Sequence, residues 1–135
     1  LNPNCRLFLH EFWANYQYKH EFNPPHWHGG LYSFVIWMKI PYSWEEQTKL
    51  PQFQTTKIQD RKAGMFEFEY SDTRGETRSL SYQLSPDFEG CMCFFPAWMR
   101  HAVYPFFGTD EERVSISGNI WYTPGTSSGK GFGSK

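Results

Sequence analysis

The chain has 135 residues, 13 Lys and Arg against 14 Asp and Glu for a formal net charge of -1, and an aromatic content of 20%. That length suits one domain able to bury a single core without disulfides or a structural metal. Near-neutrality without a long run of either sign implies neither a polyelectrolyte partner nor an anionic membrane surface, so nucleic acid is not indicated as a partner.

Aromatic and β-branched runs recur between Gly and Pro punctuation, with no sustained 3.6-residue apolar period, and this predicts a mainly β domain. The first predicted strand covers residues 11–20, and the second covers 31–40. The second is apolar on both faces, which places it deep in a sheet until Pro41 ends it. From Tyr42 to Gly64 the composition turns polar, and two readings stand side by side: a substrate lid, or a surface insertion with a short helical turn. Further strands are predicted at 64–70, 78–84, 91–95, 101–106 and 112–122. Many short strands separated by turns imply a sandwich or jelly roll. Residues 1–123 form the predicted domain, and the Gly/Ser-rich segment 124–135 reads as a flexible tail.

No stretch approaches the ~18–20 apolar residues of a membrane span, and no charged-then-apolar leader opens the chain, so a soluble cytoplasmic protein is expected. A start at Leu1 rather than Met reads as trimming, by which a targeting segment can be lost. Lys57, Arg61 and Lys62, diluted by Asp60, read as a solvated loop. Of the three cysteines, Cys91 and Cys93 share a strand face and are expected to be buried thiols.

The residues with the most chemical content are His26 and His28, behind Pro24-Pro25 and before Gly29-Gly30, together with His101 in Pro96-Ala-Trp-Met-Arg-His101. In a strand, residues i and i+2 project from one face, so both imidazoles of the pair can address one ion. A third from a distant strand would close a facial site whose open positions suit catalysis. His10 and His20 lack such context. Twelve residues past His101, alternation puts Arg113, Ser115, Ser117 and Asn119 on one face and Val114, Ile116 and Ile120 on the other. That polar face looks either to solvent or into a cavity with an anionic ligand, since an arginine turned inward needs a partner. An inward Arg113 could grip a carboxylate in bidentate fashion, with the Ser115 hydroxyl adding a hydrogen bond.

These pieces, in the order Asn15-Tyr16-Gln17-Tyr18, His26-x-His28, Gly90-Cys-Met-Cys-Phe-Phe-Pro96, His101-x-Val103-x-Pro105 and Arg113-x-Ser115, resemble the Fe(II)- and 2-oxoglutarate-dependent oxygenase superfamily. The resemblance spans about residues 12–122 and is nearest to bacterial and phage oxygenases that carry H-x-H and a downstream FPxWxxHxVxP segment. It implies a cupin-like double-stranded β-helix, and an iron that takes the 1-carboxylate and 2-keto oxygens of 2-oxoglutarate. O2 and an organic substrate are the remaining implied partners.

Carried over by position, His26 and His101 match the two histidine ligands, and Arg113 with Ser115 matches the motif that holds the far carboxylate. Asn15, Tyr16, Gln17, Tyr18 and Asn119 are candidates for lining the pocket. His28 stands where most members carry Asp or Glu, giving three neutral imidazoles and one more positive charge at the metal; Glu21 is the alternative source of a carboxylate. Gly90-x5-Pro96-x-Trp98-x2-His101 also resembles the second cupin motif. Tyr32 and Ser33 stand where the first cupin motif has glutamate, and Arg113-x-Ser115 has no cupin counterpart. A three-histidine cupin-like enzyme independent of 2-oxoglutarate, and a non-catalytic jelly-roll binding or structural module, are the competing expectations.

Overall fold

The computed structural model describes residues 4–123; the segment 124–135 read as a tail lies outside the described residues. Two four-stranded antiparallel sheets face each other. One runs β1 (Arg6–Gln17), β8 (Arg113–Thr123), β3 (Tyr32–Lys39), β6 (Met92–Pro96) in spatial order. The other runs β2 (Asn23–His26), β7 (Arg100–Val103), β4 (Phe66–Ser71), β5 (Thr77–Tyr82). The chain changes sheet at every connection except the β4–β5 hairpin, which makes the sandwich a double-stranded β-helix, as the sequence led us to expect. No helix among the described residues is long and apolar enough to cross a membrane.

Alternation along β3 explains the core. Ser33, Val35 and Trp37 are buried, and Trp37 joins Phe66, Phe68, Phe95, Phe106, Leu84 and Ile40 between the sheets. Burying a side chain of this size contributes about 1.5–3 kcal/mol, so these aromatics supply much of the driving force for closing the sandwich. β3 lies between β8 and β6, the interior place its two apolar faces predicted.

Several boundaries move for physical reasons. β1 starts at Arg6 instead of residue 11 because the far half of β8 pairs it down to Thr123. It stops at Gln17, three residues before His20 turns the chain with a φ of 73°. β7 ends at Val103, short of the expected 106, because Pro105 has no N–H for the ladder. β2 was not foreseen. Pro24 and Pro25 leave it few donors, and it survives as an edge strand with only Asn23–Val103 and His26–His101 in register.

Between Tyr42 and Gly64 the chain forms the helical-turn insertion. Ser43 and Glu46 make a capping box for α1 (Trp44–Thr48), and two 3-10 turns follow at Pro51–Phe53 and Ile58–Asp60. The buried Gln47 side chain ties this segment down by accepting from Phe107 N–H and donating to its carbonyl, at 2.8 and 2.9 Å. No residue of the segment lines the cavity described below, so its placement does not favour a lid. The thiols also differ from expectation: Cys91 is exposed just after Gly90 and ahead of β6, and Cys93 is half-buried.

Candidate metal centre and its cavity

His26 is the last residue of β2 and stands opposite His101 on β7. His28 lies past the strand end, held by its own N–H to the Ala97 carbonyl at 2.9 Å, so the pair converges through a bend and not along one strand. Gly30 completes that bend with a φ of +100°, where a Cβ would strike Trp121 Nε1 at 2.8 Å; both the backbone angle and the close approach require glycine. Ring centroids are 4.3 Å apart for His26 and His101, and 5.1 Å for His28 with each of the others. One ligand atom from each ring lies within 4.8 Å of the other two.

The protonation pattern suits ligation. His26 Nδ1 is 2.7 Å from the Pro24 carbonyl and His101 Nδ1 is 3.1 Å from that of Met99. A carbonyl only accepts, so each Nδ1 carries the proton and leaves the Nε2 lone pair free. Burial lowers the His101 pKa to about 4, with neighbouring His26 and His28 pushing the same way against its bond to Met99. His28 is also lowered, by burial first and by His26 second. Imidazoles whose Nε2 is left free, as in His26 and His101, are donors that first-row divalent ions such as Fe(II) accept. Phe66 stacks on His101 at 5.6 Å and Phe95 meets its edge at 5.0 Å, giving the cluster an apolar wall.

A cavity of about 510 Å³ opens beside the histidines. Its lining includes His26, His28 and His101 on one side and Arg113, Ser115, Ser117 and Asn119 on the other, so the polar face of β8 looks inward. Arg113 is only 3% exposed. Its Nη1 donates to the Tyr42 hydroxyl and, at 3.4 Å, to the Gly64 carbonyl. Its Nη2 donates to Gln17 Oε1 at 2.6 Å and to the Tyr104 carbonyl at 3.2 Å. The Phe106 and Tyr42 rings stand 5.3 and 5.7 Å from its guanidinium carbon. All four acceptors are uncharged. Burial pushes the guanidinium pKa down from its usual value, yet arginine keeps its proton in proteins. A buried cation held only by neutral groups is incomplete without an anion, and Arg113 lines the cavity where an anionic group could reach it.

The other expected residues divide. Asn15 and Gln17 both line the cavity but are already engaged, Asn15 Nδ2 donating to Ser115 Oγ and Ser117 Oγ at 3.3 and 3.2 Å, and Gln17 bracing Arg113. Tyr16 also borders it, while Tyr18 does not: it follows the end of β1 and its hydroxyl donates to Glu112. Asn119 is buried, accepting from Ser33 Oγ at 2.7 Å and donating to Glu11. Glu21 is no part of the histidine cluster, since its carboxylate accepts from Tyr18 N–H at 2.8 Å. The carboxylate whose charge acts on His28 is Glu11.

Sequence reasoning passed over Tyr42, which lies in the segment read as lid or loop and carries no motif. Gly64 was equally silent. Its φ of +72° and a would-be Cβ only 2.5 Å from Tyr42 Cε2 let that ring lie against the backbone, with the Tyr42 hydroxyl donating to the Gly64 carbonyl at 2.7 Å. Trp13, whose ring lies 5.8 Å from His28, shares the cavity-facing parity of Asn15 and Gln17, a signal available in the alternation of β1.

A family model described as "Putative 2OG-Fe(II) oxygenase" matches residues 11–119. Comparison with curated proteins finds no match.

Proposed function

Because the chain belongs to this family of 2-oxoglutarate- and Fe(II)-dependent oxygenases, we propose that it is a dioxygenase of the hydroxylase type, acting on an organic substrate. In this reading His26, His28 and His101 hold the metal, and Arg113 receives the far carboxylate of 2-oxoglutarate. The observation that carries it is the shared cavity: a cluster of three imidazoles and a buried guanidinium without a counter-charge line the same space. Bound Fe(II) with 2-oxoglutarate supplies the reducing equivalents for O2 activation, the keto acid leaving as succinate and CO2.

The protein's own contribution is binding and shape. Tyr42, Gln17 and the Tyr104 carbonyl hold the guanidinium fork in place before any ligand arrives, so little side-chain entropy is lost on binding. Asn15 fixes the hydroxyls of Ser115 and Ser117 in the same way. Phe66, Phe95 and Trp37 wall off the metal side from bulk water, which strengthens each electrostatic contact inside.

The test is anaerobic addition of Fe(II) and 2-oxoglutarate to the metal-free protein. A visible metal-to-ligand charge-transfer band, followed by succinate on admission of O2, is the expected result. Absence of both refutes the proposal. The third imidazole favours one rival, a cupin-like metalloenzyme that needs no keto acid, and substrate turnover without 2-oxoglutarate would establish that rival instead.

A further inference from the structure

The three histidines are not held alike. A backbone carbonyl faces Nδ1 of His26 and of His101, whereas the His28 ring has Trp13 beside it at 5.8 Å and, among the described residues, no hydrogen bond to fix it. Imidazole ligands also bring no negative charge. A divalent ion among three of them would keep its full charge in a cavity that already holds the Arg113 guanidinium.

Strand register sets Glu11, Trp13, Asn15 and Gln17 of β1 opposite Asn119, Ser117, Ser115 and Arg113 of β8. Apart from Glu11, all of these line the cavity, so Glu11 belongs to the same inward face, at the end where Trp13 meets His28. A bulge puts it there. Leu9 pairs with Ile120 and Glu11 with Asn119, which makes His10 an extra residue; uninterrupted alternation from Leu9 would have turned Glu11 outward. Asn119 then fixes the carboxylate. That amide is 2% exposed, accepts from Ser33 Oγ at 2.7 Å, and donates through Nδ2 to Glu11 Oε2. Glu11 as a residue is exposed on its edge strand, yet this bond draws its head toward the cavity wall.

No cation competes for that carboxylate among the described residues: none of their ion pairs includes Glu11. Its negative charge acts instead on His28, against the larger effects of burial and of His26. We infer that Glu11 supplies the negative charge that the third imidazole does not, stabilising a divalent ion on His26, His28 and His101 from beside the ligands without joining them. The inference rests on those histidines binding metal. Glu11 is no part of the ligand cluster, so its effect acts through space, across a partly buried gap where charges interact more strongly than in water. Glu11 is thus a positioning residue, and removing such a neighbour of a metal ligand lowers metal affinity by about 10- to 100-fold.

Titration calorimetry of the metal-free protein with Mn(II), for the wild type, Glu11→Gln and Glu11→Asp, tests this without recourse to activity. Glutamine keeps an oxygen to accept from Asn119 and removes only the charge, so the metal-free melting temperature should change little. Its Mn(II) affinity should fall about tenfold or more. The gap to wild type should narrow between about 0.01 M and about 1 M salt, where the screening length drops from about 30 Å to about 3 Å. Glu11→Asp, which keeps the charge, should bind more tightly than Glu11→Gln. Equal affinity of wild type and Glu11→Gln overturns the inference while leaving the metal reading intact. A loss that salt leaves unchanged, or that the aspartate shares in full, overturns it too. A wild type that takes up no Mn(II) overturns both.

Discussion

Replacing Arg113 with Met separates what this side chain does for a ligand from what it does for the fold. In the free protein the guanidinium is 3% exposed and bonded only to neutral acceptors. Its desolvation costs several kcal/mol, offset by hydrogen bonds worth about 1.5–3 kcal/mol each. Methionine keeps most of the volume and removes the charge, but deprives Gln17 Oε1 and the Tyr104 carbonyl of a donor, at about 1–3 kcal/mol each. These terms oppose, so the ligand-free variant should stay within about 2 kcal/mol of wild type. Ligand binding has no such cancellation: losing one partner of a buried ion pair costs about 3–5 kcal/mol, two to four decades of affinity. At a hundred times Kd, 2-oxoglutarate stabilises the wild type by about 2.7 kcal/mol, a rise in Tm of about 8–10 °C for a chain of this size. Thermal melts with Mn(II) as a redox-inert metal read this directly. The variant should show no shift at the same ligand concentration. An undiminished shift refutes the carboxylate role, and a free variant destabilised by far more than 2 kcal/mol refutes the account of an uncompensated cation.

His101→Ala should abolish retention of a divalent ion after gel filtration, read by metal analysis, whereas Arg113→Met should keep it. Metal-free protein should lose stability in acid: with the folded His101 pKa at about 4 against 6.5, the unfolded chain takes up the proton first. The contribution is therefore complete above pH 6.5 and lost as pH falls toward 4, by up to about 3 kcal/mol. Urea unfolding at a series of pH values, with His101→Asn as the flatter control, checks both sign and window. Gly64→Ala forces a Cβ against Tyr42 at a φ of +72°. It should cost about 1–3 kcal/mol of stability and, by displacing the Arg113 brace, weaken 2-oxoglutarate binding while sparing the metal, as calorimetry with each ligand would report.

How much of this was legible in the chain depends on how local the cause is. Residue types and a period of two are local, so the mainly β class, the interior place of β3 and the shared face of Arg113, Ser115, Ser117 and Asn119 could all be read directly. The H-x-H spacing with a third histidine from a distant strand also pointed to His26, His28 and His101 as one cluster. β2 escaped because its two prolines erase the usual strand signal, and its existence depends on β7 offering an edge.

Which way the polar face of β8 turns is not local. It is decided by β3 and β1 flanking that strand and by the opposite sheet closing over it, contacts made across long stretches of chain. Tyr42 shows the same limit. Nothing around it in the sequence marks it, and it becomes a brace for Arg113, 71 residues away, only because the sandwich buries both against Gly64 and Phe106. Pattern along a strand is set by backbone geometry; partners across the core are set by packing, which only the folded molecule specifies.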